Sequence, residues 1–255
     1  MELRPYQVEA VESVFREWEQ GRKRTLLVQA TGTGKTICFA EVVRRVASRG
    51  GRSLILAHRG ELLKQAATKI EQTANLKCAL EKAENTSLNS WTSVTVGSVQ
   101  TLMRESRLSQ FRPDAFDCIV VDEAHHTLAE GYIRILDHFE SANVLGVTAT
   151  ADRADRKDLG EVYDSIAYEY DMAHAINDGY LCPIEAEMVP LQVDLSSVSV
   201  THGDYQAGQL GDALEPYLDA IADAMVTRCQ DRRTVVFLPL IRTAKKFTEK
   251  LIERG

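Results

Sequence analysis

The stretch that most constrains this chain is Gln29-Ala30-Thr31-Gly32-Thr33-Gly34-Lys35-Thr36. An apolar run, Leu26-Leu27-Val28, leads into it, and an amphipathic segment from Ile37 to Val46 leads out. Strand, glycine loop and helix in that order point to an α/β fold. Gly32 and Gly34 let the backbone curl until several N–H groups face one anion. The start of the following helix adds the positive end of its dipole. In such a loop Lys35 reaches β- and γ-phosphates, and the Thr36 hydroxyl ligates Mg²⁺. Gln29 stands where the general G-x-x-x-x-G-K-S/T pattern has its first glycine, so the assignment rests on Gly34-Lys35-Thr36 in its context. An ordinary glycine turn ahead of a helix is the plain alternative, and a second site downstream argues against it.

That second site is Asp122-Glu123-Ala124-His125-His126, at the end of an apolar strand expected from Phe116 to Val121. A buried strand does not end in paired carboxylates unless they have a partner, and Mg²⁺ with a nucleotide is a natural one. Asp122 is expected to hold the metal, mainly through water, because Mg²⁺ keeps much of its hydration shell. Glu123 is then placed to polarise an attacking water as general base. The His125-His126 pair lacks the rest of a zinc ligand set, so His125 reads instead as a polar link to another strand-end segment.

Other strand ends carry polar groups as well. Ser53 to Ala57 reads as a strand followed by His58-Arg59; Val94 to Ser98 is followed by Gln100 and Thr101; Asn143 to Val147 is followed by Thr148-Ala149-Thr150. The groups at the first two ends suit backbone phosphates, although Ser98, Gln100 and Thr101 by themselves are more often helix caps, and the two hydroxyls at the third can couple the nucleotide site to another surface, with a capping threonine as the plain alternative. Helices are expected over Leu3–Arg24, Lys35–Ser48, Glu61–Gln72 and Leu128–Phe139, while Ala74 to Asn89 is polar and unassigned. Just before the first helix, Arg4-Pro5-Tyr6-Gln7 offers a ring and an amide whose donor and acceptor fit the edge of adenine. The strand–helix alternation from Thr25 to Thr150 implies a parallel sheet with helices on both faces and its chemistry along the strand C-termini.

Further on, Ser165–Tyr170 reads as a short strand, Met172–Asp178 as a helix, Ile184–Leu195 as extended chain and Ser196–Gly203 as a linker. Leu210–Cys229 reads as a helix, Thr234–Leu238 as a new buried strand and Ile241–Glu253 as a helix. The expected division is a domain over 1–197 and an unfinished second α/β domain over 198–255, since one strand between two helices cannot form a sheet.

Composition sets outer limits. With 255 residues the chain has length enough for one large domain or two small ones. No apolar run is long enough to span a bilayer, and Met1-Glu2-Leu3-Arg4-Pro5 does not read as a signal peptide. Five scattered cysteines without a C-x-x-C pair read as reduced thiols, giving an intracellular expectation, cytoplasmic or nucleoid-associated. A net charge of −7 argues against general stickiness for nucleic acid but leaves room for a local basic face.

Taken in order, these motifs resemble a superfamily-two helicase or translocase with a DEAH box, nearest the XPB-like and type III restriction-subunit branch. Arg4 to Gln7 resembles its adenine-contacting motif, Ala30–Thr36 motif I, Leu56-Ala57-His58-Arg59 with Leu62 motif Ia, Val96–Leu102 the next strand-contacting motif, Asp122–His125 motif II and Thr148-Ala149-Thr150 motif III. Gly203 to Leu210 resembles the entry to a second RecA-like domain, and Val235–Leu238 the motif IV strand. The resemblance implies a RecA-like P-loop NTPase fold and ATP hydrolysis with Mg²⁺ coupled to movement along DNA, with RNA left open. It assigns Arg4, Tyr6, Gln7, Thr31, Gly32, Thr33, Gly34, Lys35 and Thr36 to the nucleotide. Thr36 and Asp122 fall to the metal. Lys35, Asp122, Glu123 and His125 fall to catalysis. His58, Arg59, Ser98, Gln100 and Thr101 fall to the nucleic acid, and Thr148 and Thr150 to coupling. Motifs V and VI, with their γ-phosphate arginines, have no counterpart in these residues, so weak turnover is expected of the chain alone. A C-terminal half, or a larger complex, is the expected partner. A non-catalytic nucleotide- and nucleic-acid-binding assembly module is the alternative; a kinase lacks a recognisable acceptor site.

Overall fold

A computed structural model of the chain describes residues 2–57, 60–149, 159–188, 190–191, 193–201 and 204–254. It divides into two compact units, Met1–Pro183 and Ile184–Gly255. The expected boundary at 197/198 therefore falls inside the second unit.

The first unit is built on β1 (Arg24–Gln29), β2 (Ser53–Ala57), β3 (Cys78–Glu81), β4 (Val94–Ser98), β5 (Cys118–Asp122), β6 (Asn143–Thr148) and β7 (Ser165–Tyr170). They form a seven-stranded sheet in the order β3-β4-β2-β5-β6-β1-β7. Every pairing in it is parallel. Parallel strands need long crossovers, and the helices that supply them cover both faces. The pleat divides the strand residues accordingly. Leu27, Ile55, Val120 and Leu145 point into one core, packed by α1 (Pro5–Glu19), α2 (Lys35–Ser48) and α3 (Gly60–Ala74). Leu26, Val28, Leu54, Leu56, Ile119 and Val121 point into the other. That second core is closed by α4 (Val99–Leu102), α5 (Glu105–Leu108) and α6 (Glu130–His138). Because both faces are covered, the strands read as apolar runs with no polar alternation.

Most expected elements are present, several with their expected ends: α2, β2 and β4 coincide with the sequence reading. The unassigned polar stretch contains β3, an edge strand whose Glu81 is fully buried. The first expected helix is shorter at both ends than Leu3–Arg24, because Pro5 occupies its first turn and Gly21, at φ +84°, follows its end.

The second unit holds an antiparallel strand pair, β8 (Val200–Thr201) with β9 (Asp204–Tyr205), followed by α7 (Ala207–Leu214), α8 (Leu218–Cys229) and α9 (Ile241–Ile252). The expected helix over Leu210–Cys229 is broken by a 3-10 turn at Glu215–Tyr217, where Pro216 lacks the N–H a continuous helix needs. Leu218, Ala222 and Phe247 form its small core. A ladder of ion pairs runs beside it: Arg242–Asp212, Lys246–Glu215, Lys250–Asp219 and Arg254–Asp223. Two expectations fail in this unit. Thr234–Leu238 is neither a strand nor buried: Val235 is 76% and Phe237 91% exposed. Among the described residues of the unit, the only β-strands are β8 and β9, and they pair with each other, so the segment has no ladder to join. Likewise, the described residues of Ile184–Leu195 carry no strand, and β8 lies within the expected linker Ser196–Gly203.

Candidate nucleotide and nucleic-acid site

The glycine loop leaves the C-terminal end of β1 and enters α2. Gly32 and Gly34 both take left-handed backbone, at φ +89° and +86°, and Gly34 caps α2. A Cβ on Gly34 would lie 2.7 Å from Gln7 Nε2, so the position excludes a side chain on sterics as well as on φ. Thr33 turns inward: its hydroxyl donates to Ala30 O at 2.7 Å, and the residue is 1% exposed. Its carbonyl accepts from Tyr6 Oη at 2.6 Å and from Gln7 Nε2 at 3.0 Å. Gln7 Oε1 in turn accepts from Arg4 N at 3.0 Å. Gln7, 3% exposed, thus spends a donor and an acceptor inside the protein, where the sequence pointed to an adenine edge. Arg4 remains at the surface, its guanidinium 4.9 Å from the centre of the Tyr180 ring. Thr31 and Gly32 are exposed, and Lys35 and Thr36 are half-buried.

Sequence reasoning missed what holds this loop from the far side. Tyr6 stacks on Tyr170 with ring centres 4.3 Å apart and meets Tyr180 edge-on at 4.9 Å. Tyr170 O accepts from Ala30 N at 2.9 Å, and a Cβ on Gly32 would lie 3.0 Å from Leu181 Cδ2. Residues far downstream in the chain therefore clamp the loop, over a separation that no local motif spans. The recurrence of tyrosine at 168, 170 and 180 was the available signal.

The carboxylate pair stands two strands away in the sheet. Asp122 closes β5, and Glu123 follows in a left-handed conformation, φ +56°, ψ +58°. That turn sends the chain into a 3-10 helix, Ala124–His126. Asp122 Oδ1 accepts from Glu123 N at 3.1 Å. Burial, then the neighbouring Glu123 charge, raises the Asp122 pKa; Lys35 and Lys69 oppose this. The Lys35 ammonium is shifted down by burial, against the pull of Glu123 and Asp122, and donates to Gln29 O at 3.2 Å. Lysine and carboxylates thus share one field. Asp122, ending β5, and Thr36, in the first turn of α2, are oxygen donors of the kind that Mg²⁺ takes. His125 Nδ1 lies 3.5 Å from Glu123 Oε2, and its ring sits 4.1 Å from that of His126.

Between the two motifs runs β6. Its Thr148 is level with Val28 of β1, and Val147 with Asp122 of β5; Thr148 is fully buried. Thr150, His58 and Arg59 lie outside the described residues. Ala57 and Ser98 are paired neighbours at the ends of β2 and β4, which continues the same edge. Along it Gln100 is exposed and Ser98 buried. Thr101 is 7% exposed and its hydroxyl accepts from Ala83 N at 3.0 Å, so it holds the loop after β3.

Residues 1–153 match the family model described as type III restriction enzyme, res subunit. The chain is 35% identical over 226 residues to IRC3 of Saccharomyces cerevisiae, an ATP-dependent helicase by name, covering 83% of this chain and 32% of that one. To the EcoAI type I restriction endonuclease subunit of Escherichia coli it is 29% identical over 240 residues, covering 91% of this chain and 29% of the other. An HsdR-subunit fragment of a type I restriction enzyme from Vibrio vulnificus superposes with a TM-score of 0.74 at 25% identity, over 98% of this chain and 45% of that one. The chain spans about a third of the length of the curated relatives it matches. By these matches the chain belongs to the type III restriction enzyme res-subunit family of superfamily-two helicases and translocases, with a RecA-like fold.

Proposed function

We propose that the first unit is the N-terminal ATPase half of a nucleic-acid helicase or translocase, and that DNA is its track. The observation that carries this is the shared field of Lys35 and the Asp122–Glu123 pair at the C-terminal ends of two strands of one parallel sheet. Ligands of open α/β sheets bind at that edge. In this reading the loop N–H groups and Lys35 bind and orient the phosphates. Thr36 and Asp122 would hold Mg²⁺, which when bound supplies charge neutralisation to the phosphates. Glu123 takes the proton of the attacking water, and His125 braces the Glu123 carboxylate. Tyr6 and Gln7 act through the loop: they fix the Thr33 carbonyl, and Arg4 at the surface is the group left to meet the base.

Gln100, with His58 and Arg59, carries the phosphate backbone of the track, contacts that position without reading sequence. The second unit carries the segment read as the entry to a second RecA-like domain, whose arginines would complete the γ-phosphate site. An arginine supplied in this way raises turnover by a factor of about 10³ to 10⁵, so the chain alone turns over slowly. An intracellular setting follows from a nucleic-acid track, and among the described residues no helix is long and apolar enough to cross a membrane.

The test is ATP binding and hydrolysis by the purified chain, with and without DNA or RNA. Lys35→Ala should weaken ATP binding by about tenfold or more, the scale of a lost charge-assisted hydrogen bond. Unchanged ATP affinity in Lys35→Ala would sink the phosphate assignment. Hydrolysis that no nucleic acid stimulates, alone or with the C-terminal half of a relative, would sink the motor.

A further inference from the structure

Behind the Asp122–Glu123 turn lies a buried hydroxyl pair that none of the sequence motifs predicts. Thr127, fully buried, follows the 3-10 helix directly. Its hydroxyl donates to Ala124 O at 2.6 Å. A threonine hydroxyl has one hydrogen, so at its second contact it must accept. That contact is Tyr163 Oη at 2.9 Å, which is therefore the donor. Tyr163 is 5% exposed and comes from the segment ahead of β7, so the bond joins two parts of the chain with no local connection.

The ring of Tyr163 makes a second contact that fixes where it stands. A Cβ on Gly146 would lie 2.5 Å from Tyr163 Cζ and Oη. Gly146 is in β6, paired with Val121 of β5 on one side and Leu26 of β1 on the other. The tyrosine thus rests on the strand between the two motifs, through a gap that only glycine leaves open. From there its hydroxyl reaches the turn that follows the carboxylates. The turn needs such a hold. Glu123 pays for a left-handed backbone that a glutamate does not favour, and such conformations persist only where surrounding structure over-determines them.

We propose that Tyr163 is a positioning residue for the catalytic carboxylates: through Thr127 it pins the 3-10 turn and so holds Glu123 in its left-handed conformation, seated on Gly146 of the intervening strand. This rests on the hydrolytic reading above. It also gives the middle strand a mechanical link to the carboxylate turn, since a shift of β6 moves the ring and the ring carries the bond.

The test uses the full chain and the variants Tyr163→Phe, Thr127→Val and Thr127→Ser, each measured for DNA-stimulated Mg²⁺–ATP hydrolysis and for amide hydrogen exchange. Tyr163→Phe keeps the ring and loses only the donor. It should lower kcat by about tenfold or more, the effect of slight misplacement of a reacting group, with KM for ATP unchanged. Thr127→Val should do the same, the double variant should be no worse than either, and Thr127→Ser should restore the wild-type rate. The amides of His126 and Thr127, which donate to Glu123 O at 3.0 Å and Ala124 O at 2.9 Å, should exchange faster in Tyr163→Phe. Tyr132→Phe is the control. That hydroxyl is buried on the same face without a hydrogen-bond partner among the described residues, so its loss should leave exchange at the turn unchanged. Wild-type kcat in Tyr163→Phe, or a fall in kcat matched by a rise in KM, overturns the proposal. So does unaltered exchange at the turn, a readout that does not require turnover. Absence of hydrolysis in the wild type under every nucleic acid tried overturns instead the reading on which the catalytic role rests.

Discussion

Asp122 and Glu123 are adjacent and chemically alike, yet the fold treats them differently. Asp122 ends a buried strand and carries the cost of burial in a raised pKa. A carboxyl whose folded pKa lies above its ordinary 3.8 takes up its proton more readily in the fold than in the unfolded chain. The stability tied to that proton is fully present below pH 3.8 and is lost as pH rises through the folded value. Asp122→Asn, measured by thermal unfolding without divalent metal, should therefore raise the midpoint at pH 7 and leave it unchanged below the ordinary carboxyl range. Glu123 carries its cost in the backbone. Glu123→Gly should stabilise the chain by about 1 kcal/mol in chemical denaturation, because glycine enters left-handed space freely, while hydrolysis disappears. Both expectations have the same form: a site residue costs stability that its replacement returns.

At the level of elements, the edge of the sheet separates groups that hold structure from groups that face solvent. Thr101 and Gln100 stand side by side on α4, and only Gln100 is exposed. Thr101 belongs to a buried support for the loop after β3, in which the Glu81 carboxylate also takes part: Oε2 accepts from Ser87 N at 2.6 Å, and Arg107 Nη1 lies 3.1 Å from Oε1. Thr101→Val leaves Ala83 N without its acceptor, which should cost about 1–3 kcal/mol in urea unfolding. Nucleic-acid affinity of the folded variant should hold. Gln100→Ala should show the reverse, with stability within about 0.5 kcal/mol of wild type and weaker binding in a salt titration. Loss of affinity in Thr101→Val at full folding would return that residue to the interface.

Across the whole molecule, the two units differ in how much of their apolar surface they bury. The first has a core on each face of its sheet. The second has a small core and leaves Met188, Phe237 and Ile241 at 92%, 91% and 80% exposure. A chain of residues 1–183 should therefore unfold in one cooperative transition and bind ATP with the affinity of the full chain. It should also bind far less of a hydrophobic dye such as ANS. If nucleotide binding is lost on removing 184–255, the site needs the second unit and the division of labour drawn here is wrong.

What could be read from the chain alone was the local chemistry and the period of its elements. The loop at Gly32 and Gly34 was legible because backbone conformation is set within a few residues, and both glycines do take left-handed φ. The ends of α2, β2 and β4 were legible for the same reason: apolar runs, glycines and caps act over one or two turns. The tertiary structure alone decided the rest. It turned Thr101 inward, spent Gln7 on Thr33, set Tyr170 and Tyr180 against Tyr6, and seated Tyr163 on Gly146. It also left Thr234–Leu238 without strand partners, although that segment has every local mark of a buried strand. Each of these outcomes depends on which distant residues a side chain or a strand edge meets, and hydrogen-bond partners and ladder neighbours are supplied by the fold, not by the adjoining sequence.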